Sequence, residues 1–99
     1  VEYDNRNFDE AGAAADAALK ADPNSTEAML FKGRSLLGKA RKTKDAALFQ
    51  QARTWFVKAN KADKDDPEPL YLYYRSFRDA NAPVPQSALD GLKYAAILA

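Results

Sequence analysis

Alanine supply sets the fold class of this chain. Its 99 residues include 20 Ala and 10 Leu, whereas Val and Ile together number four and Thr three. A β-sheet core has too few β-branched residues to draw on, while Ala and Leu head the helix-propensity ranking. An all-α fold is expected, as one domain over residues 1–99, because a chain of this length supports a single modest core. Proline and aspartate punctuation divides it into about five helices. The first runs from Phe8 to Ala21 and closes at Asp22-Pro23-Asn24. Ser25 or Thr26 caps the second, whose pattern breaks from Gly38 through Lys44. The third covers about Asp45 to Ala62, with Phe49, Ala52, Phe56 and Ala59 on one stripe. Asp66-Pro67-Glu68 opens the fourth, which runs to Ala80 or Asn81, and Gln86 to Ala99 is the fifth.

Charge and absent residue types narrow the chemistry. Fifteen Lys+Arg against fourteen Asp+Glu leave a net charge of +1, so no global field draws nucleic acid or a membrane surface. The charge is segmented: acidic over 1–27, basic over 28–62 and mildly acidic over 63–99. Without Cys or His there is no disulfide, no thiolate or imidazole metal site and no cysteine nucleophile. Ser25, Ser35, Ser76 and Ser87 are scattered, with no base in place to activate any of them. Asp63-x-Asp65-Asp66-x-Glu68 has the acid density of a calcium loop but lacks its central Gly and later Glu, and reads instead as helix caps. The expectation is a non-enzyme with no cofactor and no metal. No apolar run reaches the roughly 18–20 residues that span a bilayer, so membrane insertion is not expected. A chain opening at Val1, with Glu2 and Asp4 close behind, reads as a piece of a longer protein.

Self-comparison is the most informative step. Ala11, Ala15 and Ala18 share their spacing with Ala52, Phe56 and Ala59, and with Ala88, Leu92 and Ala95, at offsets of 41 and 36 residues. Met29-x₂-Lys32-Gly33-x₂-Leu36 likewise matches Leu70-x₂-Tyr73-Tyr74-x₂-Phe77 at an offset of 41. Small residues at these positions let helix backbones approach closely, and the larger residue between them fills the gap.

These motifs resemble the tetratricopeptide repeat family, whose unit carries W-x₂-L-G-x₂-Y on its first helix and A-x₃-F-x₂-A followed by Pro on its second. The stretch from Phe8-Asp9-Glu10-Ala11 through Ala18-Leu19 to Asp22-Pro23-Asn24 is similar to the second helix and its exit. Lys32, Tyr74 and Lys64 depart from the pattern, standing where Leu, Gly and Pro are usual; the Tyr74 ring is expected to push the last two helices apart. The resemblance implies antiparallel helix–turn–helix repeats stacked as a short right-handed superhelical solenoid. Its division is a partial repeat 1–25, a repeat 26–66 with an inserted loop 38–48, and a repeat 67–99.

The resemblance also implies a protein- or peptide-binding scaffold. Glu27, Leu30, Arg34 and Leu37 on the second helix, with Glu68, Tyr71, Arg75 and Arg78 on the fourth, would face its groove. Arg34 and Arg75 would then form a short guanidinium ladder suited to an acidic group, with Tyr71 as apolar anchor. The competing reading pairs each Arg with a nearby acid. Leu30 and Arg34 do not match the Lys/Asn clamp of the chaperone-tail-binding members. Lys39, Arg41, Lys42 and Lys44 form an alternative basic loop; with no aromatic between them they do not stack bases, and no nucleic acid partner is expected. A second functional reading is architectural: repeats packed on another domain of the same protein without an external ligand. Ends without polar caps, such as Ala95-Ala96-Ile97-Leu98, favour self-association.

Overall fold

Aspartate, serine and proline at the turns delimit the helices. The computed structural model describes residues 5–99, and all regular structure among them is helical: α1 Asn5–Ala21, α2 Thr26–Thr43, α3 Ala46–Ala62, α4 Glu68–Asp79 and α5 Gln86–Leu98. The opening four residues of the partial repeat 1–25 lie outside the described residues. Ser25 Oγ accepts the Ala28 N–H at 3.2 Å, and Asp45 Oδ1 accepts the Ala47 N–H at 2.9 Å, capping α2 and α3. Asp66 Oδ1 does the same for Glu68 N–H at 3.0 Å, entering α4. The acid cluster at 63–68 therefore works as turn and cap.

Each helix packs on its neighbours in sequence, and the one further pairing among the described residues is α2 with α4. Cross-helix contacts give the directions. Asp9 meets Lys39 and Asp16 meets Lys32, so α1 and α2 run antiparallel; Arg34 meets Glu68 and Arg41 meets Asp79, so α2 and α4 run parallel. One cluster forms the centre: Leu30, Leu37 and Ala40 of α2, Phe49, Ala52, Phe56 and Ala59 of α3, and Leu72 of α4. Ala52 and Ala59 are fully buried, as their spacing requires. Gly33 allows a close approach: a Cβ there would lie 2.5 Å from the buried Phe56 ring.

The 41-residue offset recurs in hydrogen bonds as well as in side chains. Asp22 N–H donates to Ala18 O at 2.9 Å, and Asp63 N–H to Ala59 O at 2.9 Å. Asn24 N–H donates to Asp22 Oδ1 at 3.1 Å, and Asp65 N–H to Asp63 Oδ1 at 3.1 Å. Two buried serines also correspond, Ser35 Oγ donating to Lys32 O at 2.8 Å and Ser76 Oγ to Tyr73 O at 2.6 Å. The α1–α2 and α3–α4 hairpins are thus one structural unit used twice.

Two expectations are corrected. No loop spans 38–48: α2 continues to Thr43, Lys44 adopts φ 56° as its left-handed C-cap, and α3 begins at Ala46. The extra residues lengthen the helices, so α2 has 18 residues where α4 has 12. Gly within a helix costs only about 1 kcal/mol against Ala, and Lys39, Arg41 and Lys42 are good helix formers that sit well at the negative end of the dipole. The Tyr74 ring does not separate the last two helices: the buried residues of α4 are Pro69, Leu72 and Ser76, with Leu70, Tyr73 and Phe77 half-buried beside them. Tyr74 is half-buried, and α4 and α5 still pack, with Gly91 close to Leu70, where a Cβ would lie 3.3 Å from Leu70 Cδ2.

Candidate functional site

Parallel helices α2 and α4 bring the expected groove residues to one side of the molecule, but not all to its surface. Glu27, Arg34, Arg75 and Arg78 are exposed and Tyr71 is 46% exposed, whereas Leu30 and Leu37 are only 5% and 2% exposed and belong to the core. Those two leucines are not ligand contacts in this structure. Their burial has a cause beyond α2: the next first-type helix, α4, lies alongside and lends Leu72 to the same cluster.

A residue outside the expected set takes their place. Phe31 is 45% exposed and lines a cleft of about 390 Å³ with Ala18, Glu27, Ala28 and Arg34. Tyr71 lines a second cleft of about 350 Å³ with Glu68, Leu92, Ala95 and Ala96. The 41-residue register explains both exposures. Leu72, the counterpart of Phe31, is buried against the central cluster; Leu30, the counterpart of Tyr71, is buried in that cluster too. Phe31 and Tyr71 thus stand at register positions whose counterparts, Leu72 and Leu30, are covered by the central cluster, while they themselves stay exposed.

Between the two clefts runs an ion pair. Arg34 Nη2 meets Glu68 Oε1, joining α2 to α4. Arg75, at the equivalent place on α4, has only Asp79 of its own helix, at 3.6 Å, and that carboxylate also receives Arg41 Nη1 at 3.3 Å. Arg78 Nη1 donates to Tyr74 Oη at 2.9 Å. The guanidinium ladder is therefore present but already engaged with carboxylates and a phenol. Each exposed pair contributes about 0.2–1 kcal/mol, so an incoming carboxylate can displace the internal one at small cost.

The residues of the expected basic loop lie on the end of α2. Lys39 Nζ is 2.7 Å from Asp9 Oδ1, Arg41 reaches Asp79, and Lys42 and Lys44 are exposed. Among the described residues no group of three or more acids is placed to hold a metal ion, and no helix is long and apolar enough to cross a membrane.

The class so defined is an all-helical chain with one hairpin repeated and an aromatic-flanked ion pair on one face. Comparison with known proteins yields no matching family model, no matching curated protein and no matching solved structure.

Proposed function

We propose that this chain is a protein-binding module of the tetratricopeptide type. In this reading its hairpins form a short right-handed superhelical stack and hold a peptide or protein segment, without catalysis. The partner carries an acidic group and an apolar anchor, and meets Glu27, Phe31, Arg34, Glu68, Tyr71 and Arg75. The observation that carries this reading is the pair of clefts, one mostly apolar around Tyr71 and one of mixed lining around Phe31, each with a half-exposed aromatic, flanking one cross-helix ion pair. Rigid aromatics in partly desolvated clefts beside an Arg have the composition of binding hot spots.

The test immobilises the chain and measures partner retention. Phe31→Ala with Tyr71→Ala, and separately Arg34→Ala with Arg75→Ala, are expected to abolish retention while leaving helicity and melting temperature nearly unchanged. Arg41→Ala with Lys42→Ala is the control that keeps the partner. Retention surviving both face variants overturns the assignment.

The architectural reading is favoured by one specific observation. The Tyr71 cleft presents a mostly apolar patch of Tyr71, Leu92, Ala95, Ala96 and Ala99, and another side of α5 exposes Tyr94 and Ile97, which are 47% and 77% exposed. Such a patch suits another domain of the same protein or a second copy. A sedimentation coefficient that rises with concentration, and falls back in Ile97→Lys, would support it.

A further inference from the structure

On the side of α4 opposite Tyr71 and Arg75 lies a groove between α3 and α4, of about 540 Å³. At 100° per residue, Tyr73 and Phe77 point away from the face described above. They form the floor of this groove, with Arg53, Val57, Lys58 and Lys61 of α3 along its wall. The repeat supplies an internal reference. Forty-one residues earlier the same groove lies between α1 and α2, where it measures about 170 Å³ and is lined by Asp9, Gly12, Asp16, Lys32, Leu36 and Lys39 among others.

The two differ in charge. In the α1–α2 groove each acid of α1 meets a lysine of α2: Asp9 with Lys39 at 2.7 Å, Asp16 with Lys32 at 3.1 Å. In the α3–α4 groove Gln50 and Val57 replace the two acids, and Tyr73 and Ala80 replace the two lysines. Arg53 stands where Gly12 stood and Lys58 where Ala17 stood, while Lys61 keeps the cation of Lys20 but here lines the groove. No carboxylate lines the groove.

Arg53 is held as a fixed part of the wall. Its Nε donates to Ser76 Oγ at 2.9 Å, Nη2 to Ser76 O at 3.3 Å and Nη1 to Gln50 Oε1 at 3.3 Å, and its guanidinium lies 3.9 Å from the Phe77 ring centroid. All these partners are neutral. A guanidinium has five N–H donors, so two remain unused by these bonds. Lys58 lies over the Trp55 ring at 4.5 Å. Neither Lys58 nor Lys61 has a carboxylate within ion-pair reach among the described residues, whereas Lys32, Arg34, Lys39, Arg41 and Arg75 all do.

We infer that the α3–α4 groove binds an acidic, apolar-anchored peptide segment of a partner protein, its carboxylates on Arg53, Lys58 and Lys61 and its apolar side chain on Val57 and the aromatic floor. Charge complementarity selects the acids, because Arg53, Lys58 and Lys61 line this groove without a carboxylate, whereas the lysines lining the reference groove are each paired with an acid. The floor selects peptide over nucleic acid. Stacking bases need open aromatic faces, yet Phe77 is covered by Arg53, Tyr73 packs edge-on against Phe77 at 5.2 Å, and Trp55 is covered by Lys58. Val57, 38% exposed, offers an apolar contact between the cations. Arg53 and Lys61 are separated by about 12 Å along the α3 axis. An extended peptide covers that span in about four residues.

The probe is a short synthetic peptide with two Glu about four positions apart and Leu between them, titrated calorimetrically into the 99-residue chain at low ionic strength. Binding is expected, with a change in Trp55 fluorescence. Replacing Glu by Gln in the peptide, or Lys58→Glu with Lys61→Glu in the protein, should weaken it at least about tenfold. Val57→Asp, which restores the acid that Asp16 supplies in the reference groove, should weaken it similarly without removing any cation. Circular dichroism verifies that each variant folds. The inference is overturned if the acidic peptide does not bind, if the charge-reversed and Val57→Asp variants bind it equally well, or if a single-stranded oligothymidylate binds more tightly than the peptide. Loss of binding in Phe31→Ala with Tyr71→Ala, and not in the α3 variants, would also overturn it by moving the peptide to the opposite face.

Discussion

The groove between α1 and α2 and the groove between α3 and α4 occupy the same place in the same hairpin, and the chain finishes them differently. Two cross-helix ion pairs neutralise the first, Asp9 with Lys39 and Asp16 with Lys32. The second closes through a single buried-side contact, Arg53 on Ser76 and Phe77, and keeps its remaining cations without carboxylates. The backbone scaffold is common to both: the turns 22–25 and 63–66 carry matching hydrogen bonds, and Ser35 and Ser76 make the same bond within their helices. What a repeat must keep is the turn and the small buried positions. The groove wall is free to diverge, and in this chain it changes charge between the two hairpins: Gln50 and Val57 stand for Asp9 and Asp16, and Tyr73 for Lys32.

This contrast is sharpened first by Arg53→Ala. Losing charge-assisted bonds to Ser76 and the stacking on Phe77 should lower unfolding free energy by about 2–3 kcal/mol in chemical denaturation. The matched change in the first groove, Gly12→Ala, should shift it by less than about 1 kcal/mol, since the added Cβ meets the Ser35 hydroxyl at 3.3 Å and the movable Lys32 Nζ at 3.5 Å and gains helix propensity. A loss for Gly12→Ala as large as that for Arg53→Ala would break the contrast. Burial lowers the Arg53 pKa, with the electrostatic pull of Tyr73 acting the other way. The unfolded chain therefore holds that proton more tightly, so stability on this account rises only toward the alkaline limit and is flat near neutrality.

Next in size is Lys32→Ala with Lys39→Ala, which removes both ion pairs of the first groove. The expected loss is about 1 kcal/mol or less, fading at high salt. Lys58→Ala with Lys61→Ala in the second groove should cost no more than about 0.5 kcal/mol, the exposed Lys58 contact with the Trp55 ring, because neither lysine is paired with an acid among the described residues. Smaller still is the pH response of peptide binding to the second groove. Affinity should fall as the ligand's own glutamates protonate, around pH 4.3. A midpoint near neutrality would implicate some other group.

Much of the fold was legible because the turns are punctuated by residues with one dominant local meaning. Asp22-Pro23-Asn24 and Asp66-Pro67-Glu68 end and start helices within a residue or two of where the structure places them. The end of α2 was not legible. Gly38 reads as a break, yet it is an approach point: a Cβ there would lie 2.3 Å from the Phe8 ring. Side-chain exposure on α2 and α4 was only partly legible, because it depends on which neighbour covers each helix. Leu30 and Tyr71 share a register position, yet one is core and the other surface, and the same holds in reverse for Leu72 and Phe31. The α3–α4 groove is invisible to the apolar repeat pattern. It becomes visible only when the polar positions are compared at the same offset, Asp9 with Gln50 and Asp16 with Val57.

Amide chemical-shift mapping tests the divergence of the two grooves most directly, with the acidic–apolar peptide titrated into isotopically labelled protein. The account predicts perturbations concentrated at Thr54, Val57, Lys58, Lys61, Tyr73 and Phe77 of the α3–α4 groove. It predicts none of comparable size at Ala13, Asp16, Lys32 and Leu36, their neighbours one repeat earlier. Equal perturbation of both sets would show that the charge difference between the copies selects nothing, and would contradict it.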